Sequence, residues 1–188
     1  MKQGLILTGA ILLILFSCKK EEIPNLNLPA VTETGQNTLG FNLNNNVWTN
    51  YGRRCTLAGC SDNKVSAYLY KQPNGNFDLG IMADYTLMSE TIDQSFSIHA
   101  LNLTTVGTFP LDSSLNRGMT FIASRYNQSY KAYENQLINK CFLTITKFDT
   151  TNNIIAGTFN GILYNPMNLT DSIKIDLGRF DAQLDYKR

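Results

Sequence analysis

Hydrophobic and polar residues alternate along most of the chain from residue 38 onward. The alternation is clearest in the segments Leu39–Leu43 and Val65–Tyr70. Because successive side chains of a β-strand point to opposite faces of a sheet, this period of two predicts strands that bury one face. Asn44–Asn46 and Pro73–Asn76 follow these segments and carry residues typical of hairpin turns.

The same period continues through the rest of the chain. It is visible in the segments Phe77–Ala83, Phe96–Ala100, Met119–Ala123, Cys141–Ile145 and Ile154–Tyr164. Gly107–Pro110 predicts a short edge strand, because proline cannot donate a hydrogen bond to a central ladder. Ser172–Leu177 and Arg179–Tyr186 predict a final pair of strands that turns at Gly178.

Roughly ten short strands joined by polar turns predict an all-β fold, either a single antiparallel β-sandwich or an up-and-down, lipocalin-like barrel. The alternation does not choose between these two architectures. One segment departs from the period of two: Tyr126, Tyr130 and Tyr133 recur at helical spacing, with Leu137 four residues further on. This spacing predicts one short amphipathic helix near residues 127–139.

The first 17 residues have the organisation of a secretory signal peptide. Lys2 precedes an apolar segment, Leu5–Phe16, and the small residue Ser17 follows it. A membrane-spanning helix needs roughly 20 apolar residues, so this segment is too short to be one. We therefore expect residues 1–17 to be removed on export.

The residues Leu15-Phe16-Ser17-Cys18 resemble the lipobox of bacterial lipoproteins. The resemblance implies cleavage after Ser17, a thioether-linked diacylglycerol on Cys18, and acyl chains such as palmitate that hold the protein on the outer membrane of the cell envelope. More than one such chain makes membrane attachment effectively permanent. Lys19–Glu22 resembles the charged export tags of Bacteroidota surface lipoproteins. The resemblance leaves open whether the protein lies on the periplasmic face or on the surface face of the outer membrane.

The remaining chain divides into a linker and one domain. Residues 18–37 include Pro24 and Pro29 and show no regular period, which predicts a flexible tether. Residues 38–188 form the predicted β-domain, and this length is enough to bury one core.

Several short segments of the chain resemble a family of uncharacterised Bacteroidota lipoproteins. These segments are Thr34–Phe41, Val47-Trp48, Leu143–Asp149, Gly157–Phe159, Ser172–Ile175 and Gly178–Asp181. They cover both ends of the domain. The resemblance implies an antiparallel β-domain and an envelope location, and it brings no catalytic motif to this chain.

The chain lacks the residue patterns of common enzyme and metal sites. Its formal net charge is +1, which argues against the basic surface of a nucleic-acid-binding protein. His99 is the one histidine, so a zinc site with several histidines is excluded, and no nucleophile-elbow, zinc-protease or phosphate-loop motif occurs. We therefore expect no enzyme activity, no metal and no cofactor.

Three cysteines remain besides Cys18. In an oxidising envelope, Cys55 and Cys60 can close a short disulfide loop, and this is the pairing that we favour. Cys141 is then a buried small apolar residue. A pairing of Cys141 with either of the other two stays open from the sequence.

Aromatic side chains are the best candidates for ligand binding. Flat rings on a β-scaffold can stack on sugars or line a cleft, and hydroxyl groups can orient the ligand. The candidate ligand-binding residues are Trp48, Tyr51, Tyr126, Tyr130 and Tyr133. Tyr68 and Tyr70 share the outward face of one predicted strand. In the alternative interpretation, the tyrosine stripe of residues 126–133 caps the open end of the β-core.

Together, the leader and the aromatic residues predict a lipid-anchored envelope lipoprotein that acts as a non-catalytic binding module for a glycan or small ligand. The alternative function is a structural or accessory subunit of an envelope protein complex. Such a subunit would bind protein through a sheet edge or an apolar patch.

The lipid anchor has a direct test. Replacing Cys18 by serine removes the sulfur that would carry the diacylglycerol, so we expect the variant to be misprocessed or released from the membrane fraction. Membrane fractionation and the intact mass of the protein measure both effects. Unchanged processing and unchanged fractionation would rule out the anchor.

Overall fold

The computed structural model describes residues 24–57, 59–87, 90–124, 131–136 and 140–187. The predicted all-β fold is confirmed, with more strands than the alternation predicts. None of the described helical turns is long and apolar enough to cross a membrane. The strands are β1 (Thr38–Leu43), β2 (Asn46–Thr49), β3 (Arg53–Thr56), β4 (Gly59–Asp62), β5 (Ser66–Lys71), β6 (Phe77–Leu87), β7 (Ile92–Leu103), β8 (Gly107–Pro110), β9 (Arg117–Ser124), β10 (Lys131–Glu134), β11 (Cys141–Asp149), β12 (Ile154–Asn165) and β13 (Asn168–Lys187).

Eleven of these strands form one large sheet, while β3 and β4 form a separate hairpin. The large sheet runs in the order β2-β1-β13-β5-β6-β7-β9-β10-β12-β11-β8, and β13 pairs in addition with β12. Because of this additional pairing, a closed ring is formed by the strands β13, β5, β6, β7, β9, β10 and β12. The pairing of β13 with β5 is parallel, and the other strand pairs are antiparallel.

The strands of the sheet fall into two walls whose inward side chains meet in the core. The first wall has the order β2-β1-β13-β12-β11-β8, and the second wall has the order β5-β6-β7-β9-β10. The walls meet at two corners, where Leu184 of β13 pairs with Ala67 of β5 and Glu134 of β10 pairs with Tyr164 of β12. The fold is thus a closed sheet with sandwich-like and barrel-like features, which is why the alternation fits both predicted architectures.

Aromatic rings fill the space between the two walls. The ring centroid of Phe96 in the second wall lies 4.7 Å from that of Phe41 and 5.0 Å from that of Phe159, both in the first wall. All three side chains are buried, and burying one such ring stabilises a fold by about 2 kcal/mol. Side chains therefore fill the interior at this level.

Asn44 and Asn45 form the predicted turn between β1 and β2. Their φ angles are 49° and 72°, and two left-handed residues in succession give the hairpin turn whose twist matches the flanking strands. The side-chain oxygen of Asn44 also accepts a hydrogen bond from the backbone N–H of Lys174 at 2.8 Å. The turn therefore fixes the hairpin to β13 as well as closing it.

The predicted helix near residues 127–139 is wrong where the structure describes this segment. Lys131–Glu134 form strand β10, and Tyr133 pairs with Phe121 of β9. The sheet buries Tyr133 against the core, whereas an isolated helix of this length is only marginally stable. Residues 127–130 and 137–139 lie outside the described residues.

The two final predicted strands are one continuous strand. β13 runs from Asn168 to Lys187, so Gly178 is not a turn. A Cβ atom at Gly178 would lie 2.5 Å from the ring of Phe159. The glycine therefore makes room for a core aromatic side chain, which is a recognised use of glycine inside a strand.

Residues 24–37 lie against the β-domain, in contrast to the flexible tether predicted for residues 18–37. We call residues 24–37 the N-terminal strap. The carboxylate of Asp181, which is 1% exposed, holds the strap. It accepts hydrogen bonds from Oγ1 of Thr32 and from the backbone N–H groups of residues 34–36, at distances between 2.7 and 3.3 Å.

These hydrogen bonds keep Asp181 charged. Burial alone would raise the pKa of this carboxyl, but the hydrogen bonds from Thr32 and from residues 34–36 outweigh burial and hold the pKa below its ordinary value of 3.8. A carboxyl with a depressed pKa stabilises the fold in its charged form. This stabilisation is therefore complete at neutral pH and is lost as the pH falls below 3.8 and through the depressed pKa.

Replacing Asp181 by alanine removes the acceptor of four hydrogen bonds. We expect the free energy of unfolding to fall by about 3 kcal/mol, because the strap amides lose a charged partner. We also expect the amides of residues 34–36 to exchange with solvent faster, as measured by hydrogen exchange. Lowering the pH below 3.8 should loosen the strap of the natural protein in the same way.

The matched control for this test is Asp176→Ala on the same strand. The carboxylate of Asp176 forms a partly exposed ion pair with Lys174 at 2.7 Å, so its loss should cost less than about 1 kcal/mol. Equal losses of stability in the two variants, with the strap amides still protected, would show that Asp181 does not hold the strap.

Candidate functional site

An open cleft of about 460 Å³ lies beside Trp48 at one end of the two walls. We call it the mouth cleft. The strap, the β1–β2 hairpin and the second wall all contribute to it. Its lining residues are Pro24, Leu26, Leu43, Asn45, Asn46, Val47, Trp48, Tyr85 and Gln94.

Trp48 connects the mouth cleft to the core. Its side chain is 3% exposed, and its indole stacks on Phe41 with 4.8 Å between ring centroids. The indole Nε1 donates a hydrogen bond to Oε1 of Gln94 at 2.9 Å. Trp48 is therefore mainly a core residue that borders the cleft, and Gln94 fixes its orientation.

Tyr51 reaches the same end of the domain through Tyr85. The two tyrosine rings are 5.9 Å apart, and Tyr85 also meets Trp48 edge-on at 6.5 Å. The backbone of Tyr51 is fixed on β6, because its N–H donates to the carbonyl of Asp84 and its carbonyl accepts from the N–H of Thr86. The structure therefore brings two of the predicted residues together around a third aromatic residue.

Tyr85, Gln94 and Leu26 also line the mouth cleft and are not among the residues that the sequence predicts there. Tyr85 continues the inward register of β6, so extending the alternation by one step would find it. Gln94 pairs with Tyr85 and is a polar residue in an otherwise apolar register, which is an informative position in a strand. Leu26 carries no local signal, because its place depends on the docking of the strap.

The mouth cleft combines apolar side chains with amides. Leu26, Leu43 and Val47 supply apolar surface, while the side chains of Asn45 and Asn46 can both donate and accept hydrogen bonds. None of the described lining residues carries a charge. This combination suits a neutral ligand that has an apolar face and hydroxyl or amide groups.

Tyr51 and Tyr133, the other predicted ligand-binding residues that the structure describes, do not line the mouth cleft. The hydroxyl of Tyr133 donates to Oδ1 of Asp171 at 3.2 Å, and Nζ of Lys131 lies 5.1 Å from the centroid of its ring. These contacts hold Tyr133 at the corner between the walls. Tyr126, Tyr130 and Cys18 lie outside the described residues.

A smaller polar cleft of about 240 Å³ surrounds His99 on the outer face of the second wall. Two of its lining residues serve the fold, since Asn135 bonds to three backbone groups and Arg117 donates to two backbone carbonyls. Gln136 donates to Glu134 at 3.2 Å. Partial burial lowers the pKa of His99 below 6.5, and the charge of Glu134 opposes this shift only in part, so the imidazole is neutral at pH 7.

Cys55 and Cys60 form a disulfide across the β3–β4 hairpin. Arg54 in this hairpin reaches the second wall, where its Nη2 lies 2.7 Å from Oδ1 of Asp93. Asp93 is buried, and its Oδ2 has no hydrogen-bond partner among the described residues. Because a buried carboxylate without a cation is costly, the ion pair fastens the hairpin to β7.

Cys141 is a free and buried thiol. Its Sγ donates to the carbonyl of Ile162 at 3.4 Å. Burial raises the pKa of the thiol to about 11, so little reactive thiolate forms at neutral pH. Across the part of the chain that the structure describes, no group of three or more His, Cys, Asp or Glu side chains could hold a metal ion.

The strands define an all-β domain built on one large, closed and mostly antiparallel sheet. Residues 39–183 match the family model described as a domain of unknown function, DUF5025. The chain therefore belongs to this family, as the resemblance to an uncharacterised family implies. No curated protein matches the chain, and no solved structure matches it.

The burial of Cys141 predicts low reactivity. In the native protein at pH 8 we expect iodoacetamide to leave Cys141 unmodified, because the thiol is inaccessible and its pKa is about 11. After unfolding in guanidinium chloride the same residue should be alkylated fully. Peptide mapping of the alkylated protein measures both states, and rapid labelling of Cys141 in the native protein would contradict the buried position.

Proposed function

We propose that this protein is a lipid-anchored envelope lipoprotein whose β-domain acts as a non-catalytic binding module for a glycan or small ligand. The observation that carries the proposal is the mouth cleft, where apolar side chains and uncharged amides line an open space at the end of a filled core. The bulk of the interior is packed with side chains, so an opening of this size at its end is the natural place for a ligand.

The location in this proposal rests on the leader. Residues 1–17 serve as a signal peptide, and Cys18 carries palmitate-type acyl chains that anchor the protein to the outer membrane, as in Bacteroidota lipoproteins. The strap supports this arrangement, because Pro24 already lies at the mouth cleft. At full extension the residues between Cys18 and Pro24 span at most about 20 Å, so the mouth cleft stays near the membrane surface.

The chemistry of the mouth cleft supports binding without catalysis. Its described lining residues offer amides, one phenol and apolar groups. General acid-base and nucleophilic catalysis rely on a carboxylate, histidine, lysine, cysteine or activated hydroxyl beside the reacting atom. The lining side chains supply orientation and apolar contact, which are the functions of a binding site.

A second candidate function is that of an accessory subunit in an envelope protein complex. The observation that favours it is the pair of strands at the ends of the large sheet, β2 and β8, each paired on one side among the described strands. Free edges can accept a strand from another protein. β8 ends in Pro110, which blunts its edge, so β2 beside the mouth cleft is the better acceptor.

Native mass spectrometry of the full protein, extracted from its own membrane, tests the proposed function. We expect the natural protein to retain a small molecule or oligosaccharide. Asn46→Trp should reduce the retained fraction at least tenfold, because Asn46 is exposed at the mouth cleft and a larger side chain there would block it.

The matched control is Asn160→Trp, which places the same side chain at an exposed strand asparagine of β12 outside the mouth cleft. This variant should retain the molecule as the natural protein does. A stoichiometric protein partner in place of a small molecule would sink the binding-module proposal and favour the accessory function.

A further inference from the structure

A row of residues on the outer face of the second wall alternates between rings and glycines. Tyr68 of β5 pairs with Gly80 of β6. Gly80 pairs in turn with His99 of β7, and His99 pairs with Gly118 of β9. The row therefore crosses four neighbouring strands at one level of the sheet.

Both rings lie across a glycine. A Cβ atom at Gly80 would overlap Cζ, Cε1 and the hydroxyl oxygen of Tyr68, and one at Gly118 would lie 2.6 Å from Cε1 of His99. Ring atoms of Tyr68 and His99 therefore occupy the space above these two glycines. Tyr68 is 37% exposed, and His99 is also exposed. We call these two rings the outer platform.

The spacing of the outer platform follows from the sheet. One ring lies over β6 and the other over β9, which are two strands apart in the order β6-β7-β9. Neighbouring strands are separated by about 4.8 Å, so the two rings are about 10 Å apart across the strands. This distance is close to a two-sugar step along an extended glycan.

Hydrogen-bonding groups flank the outer platform. Ser97 and Thr120 pair with each other in the adjacent outward row, and Glu134 and Gln136 line the polar cleft beside His99. Small hydroxyls and planar polar side chains next to a flat ring match a sugar, whose ring has an apolar face and a hydroxyl-bearing edge.

The outer platform is also uncharged. The imidazole of His99 is neutral at pH 7, because partial burial lowers its pKa below 6.5. A protein partner would need a contiguous apolar patch, whereas here two rings are separated by glycine, and the adjacent outward row places the exposed Met82 next to Ser97 and Thr120. These features favour a neutral carbohydrate.

We propose that the outer platform is a second binding site, which takes an extended neutral polysaccharide that crosses β5, β6, β7 and β9 and stacks sugar rings on Tyr68 and His99. Ser97, Thr120 and the polar cleft supply hydrogen bonds to its hydroxyl groups. The site goes beyond the proposed function, because it lies on an outer face and is separate from the mouth cleft. Either site can fail without the other.

Affinity electrophoresis of the full, detergent-extracted protein tests this site. Native gels contain soluble starch, mixed-linkage β-glucan, xylan or galactomannan, and retardation gives the dissociation constant. We expect at least one of these polysaccharides to retard the natural protein. Tyr68→Ala and His99→Ala should each weaken binding about tenfold, because each removes one stacking surface.

Two further variants control for loss of structure. Tyr68→Phe keeps the ring and should keep most of the binding. Tyr70→Ala removes an exposed tyrosine from the same strand face, but Tyr70 pairs with Asp78 and not with a glycine, so it should bind as the natural protein does. Circular dichroism establishes that each variant is folded.

Three results would overturn the proposal. The first is the absence of retardation of the natural protein by all four polysaccharides. The second is unchanged retardation in folded Tyr68→Ala and His99→Ala, which would show that the rings serve only to cover the strand glycines. The third is an equal loss in Tyr70→Ala. Asn160→Trp should leave retardation unchanged, because Asn160 lies on β12, outside both the mouth cleft and the outer platform.

Discussion

The contact between aromatic rings across the two walls is the interaction on which the rest of the structure depends. Phe96 of the second wall meets Phe41 and Phe159 of the first wall at 4.7 and 5.0 Å between centroids. Flat rings packed at this distance hold the walls together and leave the interior filled. The open cleft that Trp48 borders therefore lies at the end of the walls and not between them.

Glycines placed within strands serve the same purpose on both faces of the sheet. Gly178 makes room for the ring of Phe159 in the core, while Gly80 makes room for the ring of Tyr68 outside. In both places the missing Cβ lets a neighbouring ring lie close to the backbone. The inner pair stabilises the core, and the outer pair creates a flat exposed ring, so one local device has a structural and a surface role.

The N-terminal strap contacts both the buried carboxylate of Asp181 and the mouth cleft. Asp181 is buried in the first wall and binds residues 34–36 through their backbone N–H groups, and this contact brings Leu26 and Pro24 to the mouth cleft. A buried carboxylate is tolerated because the strap satisfies it. The strap is thus part of the cleft wall.

The sequence by itself determined the all-β class, the asparagine turn at Asn44 and Asn45, and the expectation of a lipid anchor at Cys18. Strand alternation and turn chemistry are local properties of the backbone, and they need no distant partner to be visible. Only the tertiary structure decided that β13 closes the sheet, that Tyr133 lies in a strand, and that Tyr85 joins Trp48. Those outcomes depend on which distant strands pack together, and a local period of two is the same for every possible partner.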